Sequence, residues 1–456
     1  VTREDFVGVV RNAFAGLGFG QDAPMVTFPI DAFLVGSDLT PIRERLDDFM
    51  DGLVSWEAKA KHTGIQQPSM IEVEAHGYEA VLDTMNRQFL TNTWGDGLPL
   101  NAPTEERVAW ILKGTDRPCD QVIGKVLPQG GIATVETLAV SLAMAGGRPE
   151  YLPVLIASME AILDPGLEHD KFQATSGSTF PVVIVNGPMA QQIRLNAGFG
   201  LLGPDPRHPA GASIGRAVRL LLQNVGGALP GIGTMAMFGG MRYTNAVFAE
   251  DEEGLPEGWD PVCTHQFGLP RGRNAVTVYV ATGASNIMRR GVGKETPDEE
   301  GLQSLHRVAG YLGSPNPHYT HGWAHGTPGA LLMSRVVARQ LAGLGWTKAN
   351  IKRFLWEHSS LPSAEVKETG TLQWIQQAAE QDTVASATMD PWPITHTPEQ
   401  IILCVAGGYH PTHNYWMQAS GPKVAGREIT LPAAWDTLIA EADTALGTSN
   451  PNQDTA

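Results

Sequence analysis

Cysteine is scarce, with three residues in a chain of 456, Cys119, Cys263 and Cys404, and no C-x-x-C spacing among them. That excludes a disulfide framework and a cysteine zinc site, and it fits a reducing compartment. Positive charge is also in deficit, 32 Lys and Arg against 48 Asp and Glu. The resulting net charge of −16 repels phosphate backbones and anionic lipid, so neither nucleic acid nor a membrane surface is an expected partner. Long hydrophobic runs are missing too. The most apolar helical stretch, residues 151–163, is too short to span a bilayer and contains Glu160. The first residues, Val1 to Phe6, hold no apolar h-region, and a soluble, cytoplasmic protein is expected. No repeat of solenoid length is visible.

What is present is enough for an ordinary core: 42% of the residues are hydrophobic, and the length suits two or three domains. Short β-branched runs at residues 25–28, 69–73, 181–185, 243–248, 275–280 and 401–405 read as strands. Between them, 3.6-residue periodicity predicts helices over residues 4–17, 40–50, 78–89, 134–145, 213–225, 331–344, 347–357 and 433–446. Residues 149–163 are apolar on nearly every side and predict a buried central helix. This alternation predicts an α/β fold with mainly parallel sheets flanked by helices, in two or three subdomains. The expected units are an N-terminal α/β segment (1–65), a central α/β domain (66–275), a C-terminal α/β domain (276–446) and a disordered tail (447–456).

Three strand runs break into small residues, at Asn186-Gly187-Pro188, at Thr282-Gly283-Ala284-Ser285 and at Gly407-Gly408. Each resembles the turn after a parallel strand, where small residues let backbone N–H groups approach a ligand. Convergence of the three on one pocket is expected, with Asn186, Gly187, Ser285, Gly407 and Gly408 as substrate-binding residues. His410 and His413 follow the third turn, and imidazole suits acid–base work near neutrality. Glu250 opens the run Glu250-Asp251-Glu252-Glu253 just past a strand end. Alternation turns Glu250 inward as a general base or metal ligand while its neighbours stay wet. Arg216, in the first turn of the helix predicted over 213–225, forms with Gly211, Ala212 and Ser213 a candidate anion site. Asp96, flanked by Gly95 and Gly97, is a candidate cleft residue or a plain turn.

Histidines at 318, 321 and 325 have metal-like spacing, yet Gly322 and prolines 315, 317 and 328 oppose the helix that such a face needs. No metal and no cofactor is therefore expected. The alternative, a metal-dependent hydrolase or lyase, uses two or three of His318, His321, His325, His410 and His413 with Glu250 to hold a divalent ion.

Several segments together resemble a known family. They are Trp94-Gly95-Asp96-Gly97-Leu98-Pro99, Pro103-Thr104-Glu105-Glu106-Arg107-Val108, Thr134-Val135-Glu136, Met144-Ala145-Gly146, Arg148-Pro149-Glu150-Tyr151-Leu152-Pro153, Asn186-Gly187-Pro188 and Ile214-Gly215-Arg216-Ala217. Residues 346–358 and 405–408 also look similar. The family is the bacterial UGSC type, associated with small proteins that carry a Sec-Gly-Ser-Cys or Cys-Gly-Ser-Cys motif. This chain holds no Gly-Ser-Cys, and it has Leu127 and Gly147 where the family often has cysteine. The resemblance implies that any thiol or selenol chemistry comes from a partner subunit.

The leading expectation is an enzyme, of hydrolase or lyase type, that adds to or cleaves a carbon–heteroatom bond of a small polar organic molecule. His413, His410 and Glu250 are its acid–base groups. A non-enzymatic alternative makes the chain the scaffold of a thiol or selenol reductase complex, with the helix at 149–163 buried against a partner. A homo-oligomer or a partner subunit is expected in either case.

Overall fold

The computed structural model describes residues 1–20, 23–34, 36–57, 70–239, 246–288, 296–314, 328–362, 364 and 389–447. Two small sheets come first. Strands β1 (Thr2–Arg3) and β2 (Thr27–Phe28) pair in parallel, and β3 (Val122–Val126) pairs antiparallel with β4 (Gly131–Thr134). The main sheet has six strands, β5 (Phe180–Asn186), β6 (Ala246–Ala249), β7 (Ala275–Met288), β8 (Gly329–Met333), β9 (Ile402–Val405) and β10 (His413–Glu428). Their order is β6-β5-β7-β10-β8-β9.

The helices among the described residues begin with α1 (Val7–Gly16), α2 (Thr40–Glu44), α3 (Leu46–Val54), α4 (Tyr78–Thr91) and α5 (Glu105–Leu112). Next come α6 (Val135–Met144), α7 (Leu152–Ile162), α8 (His169–Ala174), α9 (Met189–Gln192) and α10 (Pro209–Asn224). The last are α11 (Val262–Phe267), α12 (Pro297–Leu312), α13 (Arg335–Gly343), α14 (Lys348–His358) and α15 (Trp435–Leu446). Their starts follow capping chemistry. Thr134 accepts from Thr137 N at α6, Ser334 from Val337 N at α13, and Thr347 from Asn350 N at α14. The helix expected over 331–344 is thus two elements, the end of β8 and, after the Ser334 cap, α13.

The sheet is mostly antiparallel, which corrects the expectation of mainly parallel strands. Only β5 with β6 and β8 with β9 run parallel within it; β7 pairs antiparallel with β5 and with β10, and β10 with β8. The misreading has a physical cause. A continuous apolar run signals a strand buried on both faces, which is the usual state of a parallel strand. Here antiparallel strands are buried on both faces too, because helices cover one side and the sheet curls around the other. Val182 and Ile184 point to the concave side with Phe248, Tyr279, Leu332, Cys404 and Met417. Val183 and Val185, one residue out of phase, face the convex side with helices α6, α7 and α10.

Chain order and strand order together reveal two similar halves. Strand β5, a helical crossover, β6 and a long β7 are repeated as β8, a helical crossover, β9 and a long β10. The two long strands pair at the centre, and the short parallel pairs lie at the edges. Each pair is extended by one residue in the same way: Glu250 N donates to Val185 O (3.0 Å) and Ala406 N to Met333 O (2.9 Å). The boundary expected at 275/276 falls at the first residue of β7, inside this sheet.

Helix α7 packs against the main sheet and is buried at every position but Glu160, which pairs with Arg117. Each fully buried Leu, Ile or Val there contributes roughly 1.5–3 kcal/mol. Its apolar surface is spent on the chain's own core, so it offers no free face to a partner. No helix among the described residues is long and apolar enough to cross a membrane.

Candidate functional site

The curl brings the two sheet edges together, and the candidate site lies along that seam. Asp251 N, just past β6, donates to Val405 O at the end of β9 (2.7 Å). Glu250 faces inward as alternation predicts, and its side chain is fully buried. Its Oε1 accepts from Lys348 Nζ (2.9 Å) and Val405 N (3.4 Å), and its Oε2 accepts from Val262 N (2.6 Å) and Asn186 Nδ2 (2.8 Å). A carboxylate with every lone-pair direction filled and a buried ammonium beside it holds structure together. The expected wet neighbours are not all wet: Asp251 is buried in a bidentate pair with Arg335, whose Nε is 2.6 Å away. The reason is tertiary, since β9 and the start of α13 close over the end of β6.

Asn186 joins the same seam. Its Nδ2 also donates to Glu252 Oε1 (3.0 Å), and its Oδ1 accepts from Cys263 N (3.2 Å). The next residue must be glycine for two reasons. Gly187 has φ 97°, and a Cβ there would sit 2.4 Å from Asn274 Oδ1. Its freed N–H donates to Glu252 Oε1 (2.6 Å).

Two adjoining cavities open on the seam, one at the carboxyl ends of each parallel pair. The smaller, about 380 Å³, is lined at the β5/β6 end by Gly187, Gln191, Glu250, Asp251, Glu252 and Glu253, with Asn196, His208 and Tyr409 around it. The larger, about 680 Å³, is lined at the β8/β9 end by Ser334, Gly407, Gly408 and His413, with Leu332 and Tyr415 below. Gly198, Phe199 and Arg207 belong to both walls. The Phe199 ring lies directly on Gly408, where a Cβ would be 2.2 Å from it.

His410 and His413, expected as acid–base groups, lie side by side. Buried Thr412 Oγ1 is 2.7 Å from His410 Nδ1 and 2.9 Å from His413 Nδ1, and the two Nδ1 atoms are 3.2 Å apart. Three atoms in mutual hydrogen-bond contact share the single hydroxyl proton of the threonine, so one Nδ1 must carry a second proton. With both rings neutral, the tautomers are opposite. One ring offers a basic Nε2, and the other offers an Nε2–H. Ser334 Oγ donates to His410 O (2.8 Å) and anchors the loop to the start of α13.

No known protein family, curated protein or solved structure matches the chain.

Ser285 is not in a turn. Strand β7 runs through residues 282–285 to Met288, pairing Ser285 with Trp416. The small residues sit beside the register shifts of β10 between Gln418, Ala419 and Val424, so they accommodate a bend of the sheet. Ser285 Oγ accepts from Tyr311 OH on α12 (2.7 Å), and it lines neither seam cavity. The anion site at Arg216 is not formed. Helix α10 starts at Pro209, so Arg216 lies past its first turn, and its guanidinium clamps Asp96 through Nε (2.7 Å) and Nη2 (2.9 Å). Two candidate site residues thus neutralise each other and tie the 94–99 turn to α10.

His318, His321 and His325 lie outside the described residues, as does 448–456 of the expected tail. Among the described residues no group of three His, Cys, Asp or Glu is arranged to hold a metal ion. Sequence reasoning passed over Asn196, Phe199, Asp205, His208, Glu252 and Tyr409. The signal for the first four was a Gly- and Pro-rich loop, residues 196–208, longer than a plain connection needs.

Proposed function

We propose that the chain is an enzyme that adds to or cleaves a carbon–heteroatom bond of a small polar organic molecule, with His413 and His410 as the proton-transfer groups. The observation that carries this reading is the His410–Thr412–His413 cluster, of which His413 lines the larger cavity. Opposite tautomers supply a base and an acid side by side, so one ring can take a proton from a substrate or water while the other gives one to the departing heteroatom. Gly407 leaves room for a substrate close to the backbone, Gly408 being covered by the Phe199 ring, and Leu332, Leu201 and Leu202 give the cavity an apolar floor. A hydrolase or lyase fits this equipment. Membership of the UGSC-type family is proposed on the segments quoted above, with the catalytic sulfur or selenium replaced here by imidazole.

The test has two steps. A thermal-shift screen of small polar metabolites identifies ligands of the native chain. Turnover of those ligands by His413→Ala should then fall by roughly 10² or more with little change in melting temperature. Undiminished turnover in that variant refutes the assignment.

A further inference from the structure

The wall shared by the two cavities contains a second histidine centre. Asp205 lines the larger cavity, His208 lines the smaller, and Arg207 lines both. His208 Nδ1 is 2.6 Å from Asp205 Oδ2, with the two side chains 11% and 14% exposed. Asp205 is held in turn by Arg207 N on its Oδ1 (3.0 Å), and its carbonyl accepts from His208 N (3.0 Å). Burial works against charge on Asp205, but the His208 bond, the Arg207 amide and the nearby positive charges outweigh it and hold its carboxyl below the usual range. An ionised carboxylate only accepts, so Nδ1 carries a ring proton, and the lone pair of the neutral ring is then the one on Nε2. Among the described residues nothing bonds to that Nε2.

The charge of the smaller cavity is uneven. Glu250 is matched by Lys348 and Asp251 by Arg335. Among the described residues Glu252 receives only neutral donors, Asn186 Nδ2 and Gly187 N, both on Oε1, and pairs with no cation; with Glu253 it sets two carboxylates against the one guanidinium of Arg207 in the lining. Such a lining favours a positively charged ligand over an anion.

We propose that the smaller cavity is a second reactive site, in which His208 Nε2 takes a proton from the ammonium group of a small bound amine and Asp205 positions the ring. The proton moves from nitrogen to nitrogen, giving a free amine and an imidazolium whose other N–H stays on Asp205. No further reactant is required. Glu252 holds the ammonium before transfer and stabilises the imidazolium after it. This inference is independent of the role given to His413.

Carbethoxylation of the native full chain by diethyl pyrocarbonate tests it, because the reagent attacks an unprotonated imidazole nitrogen and peptide mass mapping reads His208 alone. His208 should react at neutral pH, and Asp205→Asn should slow the reaction roughly tenfold and shift its pH dependence. Three probes of one skeleton define the ligand: cationic glycinamide should protect His208, while neutral acetamide and anionic oxamate should not. Glu252→Gln should leave His208 reactive and remove the protection by glycinamide. An inert His208 in the native chain, protection by oxamate equal to that by glycinamide, or no protection by any probe overturns the proposal. Loss of turnover in His413→Ala together with an inert His208 would refute this site and leave the other standing.

Discussion

Replacing Lys348 by methionine tests what closes the seam. The ammonium is 2.9 Å from Glu250 Oε1, and the two side chains are 4% and 0% exposed. Removing it leaves a buried carboxylate with three neutral donors, Asn186 Nδ2, Val262 N and Val405 N. Those bonds remain, but the counter-charge is gone, and breaking one side of a buried pair costs about 3–5 kcal/mol. Glu250→Gln should cost a similar amount, since it strands the ammonium and offers one carbonyl oxygen where two oxygens served four donors. The double variant removes both charges and should be more stable than either single one, with a coupling on the order of 2–3 kcal/mol. Urea unfolding followed by the fluorescence of the 11 tryptophans gives the free energies, with slopes compared to confirm that the unfolded reference is unchanged. Strictly additive losses, or a loss below about 1 kcal/mol for Lys348→Met, would refute the view that this pair locks the β6 and β9 edges together.

Lys352, one turn further along α14, is 2% exposed, and burial followed by the charge of Lys348 pushes its ammonium down to about 7. Its unfolded value is near 10.5, so between those limits the unfolded chain binds the extra proton and stability rises with pH. The rise due to this group is at most about 4–5 kcal/mol, at 1.36 kcal/mol per pKa unit. Subtracting the pH–stability curve of Lys352→Met from that of the native chain isolates it, and a flat difference from pH 7 to 10 refutes it. For the thiols, Cys119 is exposed, whereas burial, reinforced by the charges of Glu252 and Glu250, pushes Cys263 up to about 11, and burial raises Cys404 well above its ordinary value. A disulfide reagent at neutral pH should therefore titrate one thiol in the native chain and all three in denaturant, without loss of turnover. Rapid reaction of a second native thiol, or inactivation on labelling Cys119, would return sulfur chemistry to the mechanism.

Candidate site residues were legible where the signal was local. His410 and His413 sit three apart after a strand, and their meeting at Thr412 follows from that short loop. The inward turn of Glu250 follows from strand alternation, and Gly187 from the turn it must make. The partners of these residues were not legible. Asp96 and Arg216 are 120 positions apart, and Glu250 and Lys348 are 98 apart, so no periodicity links them. Ser285 was misplaced because small residues in a strand read as a turn, whereas here they sit beside a bend in a long β7.

The sequence by itself determined the local elements: the caps at Thr134 and Thr347, the all-round apolar α7, the β-branched cores of β5, β7 and β9, and the scarcity of cysteine. These follow from propensity, period and composition, which act over a few residues. Only the tertiary structure decided the strand directions and the site. Burial on both faces is the same signal for a parallel strand under helices and for an antiparallel strand inside a curl. The closure of that curl sets Glu250 against Lys348 and places both cavities at one seam, because contacts between sheet edges depend on how far six strands twist and on nothing within any one of them.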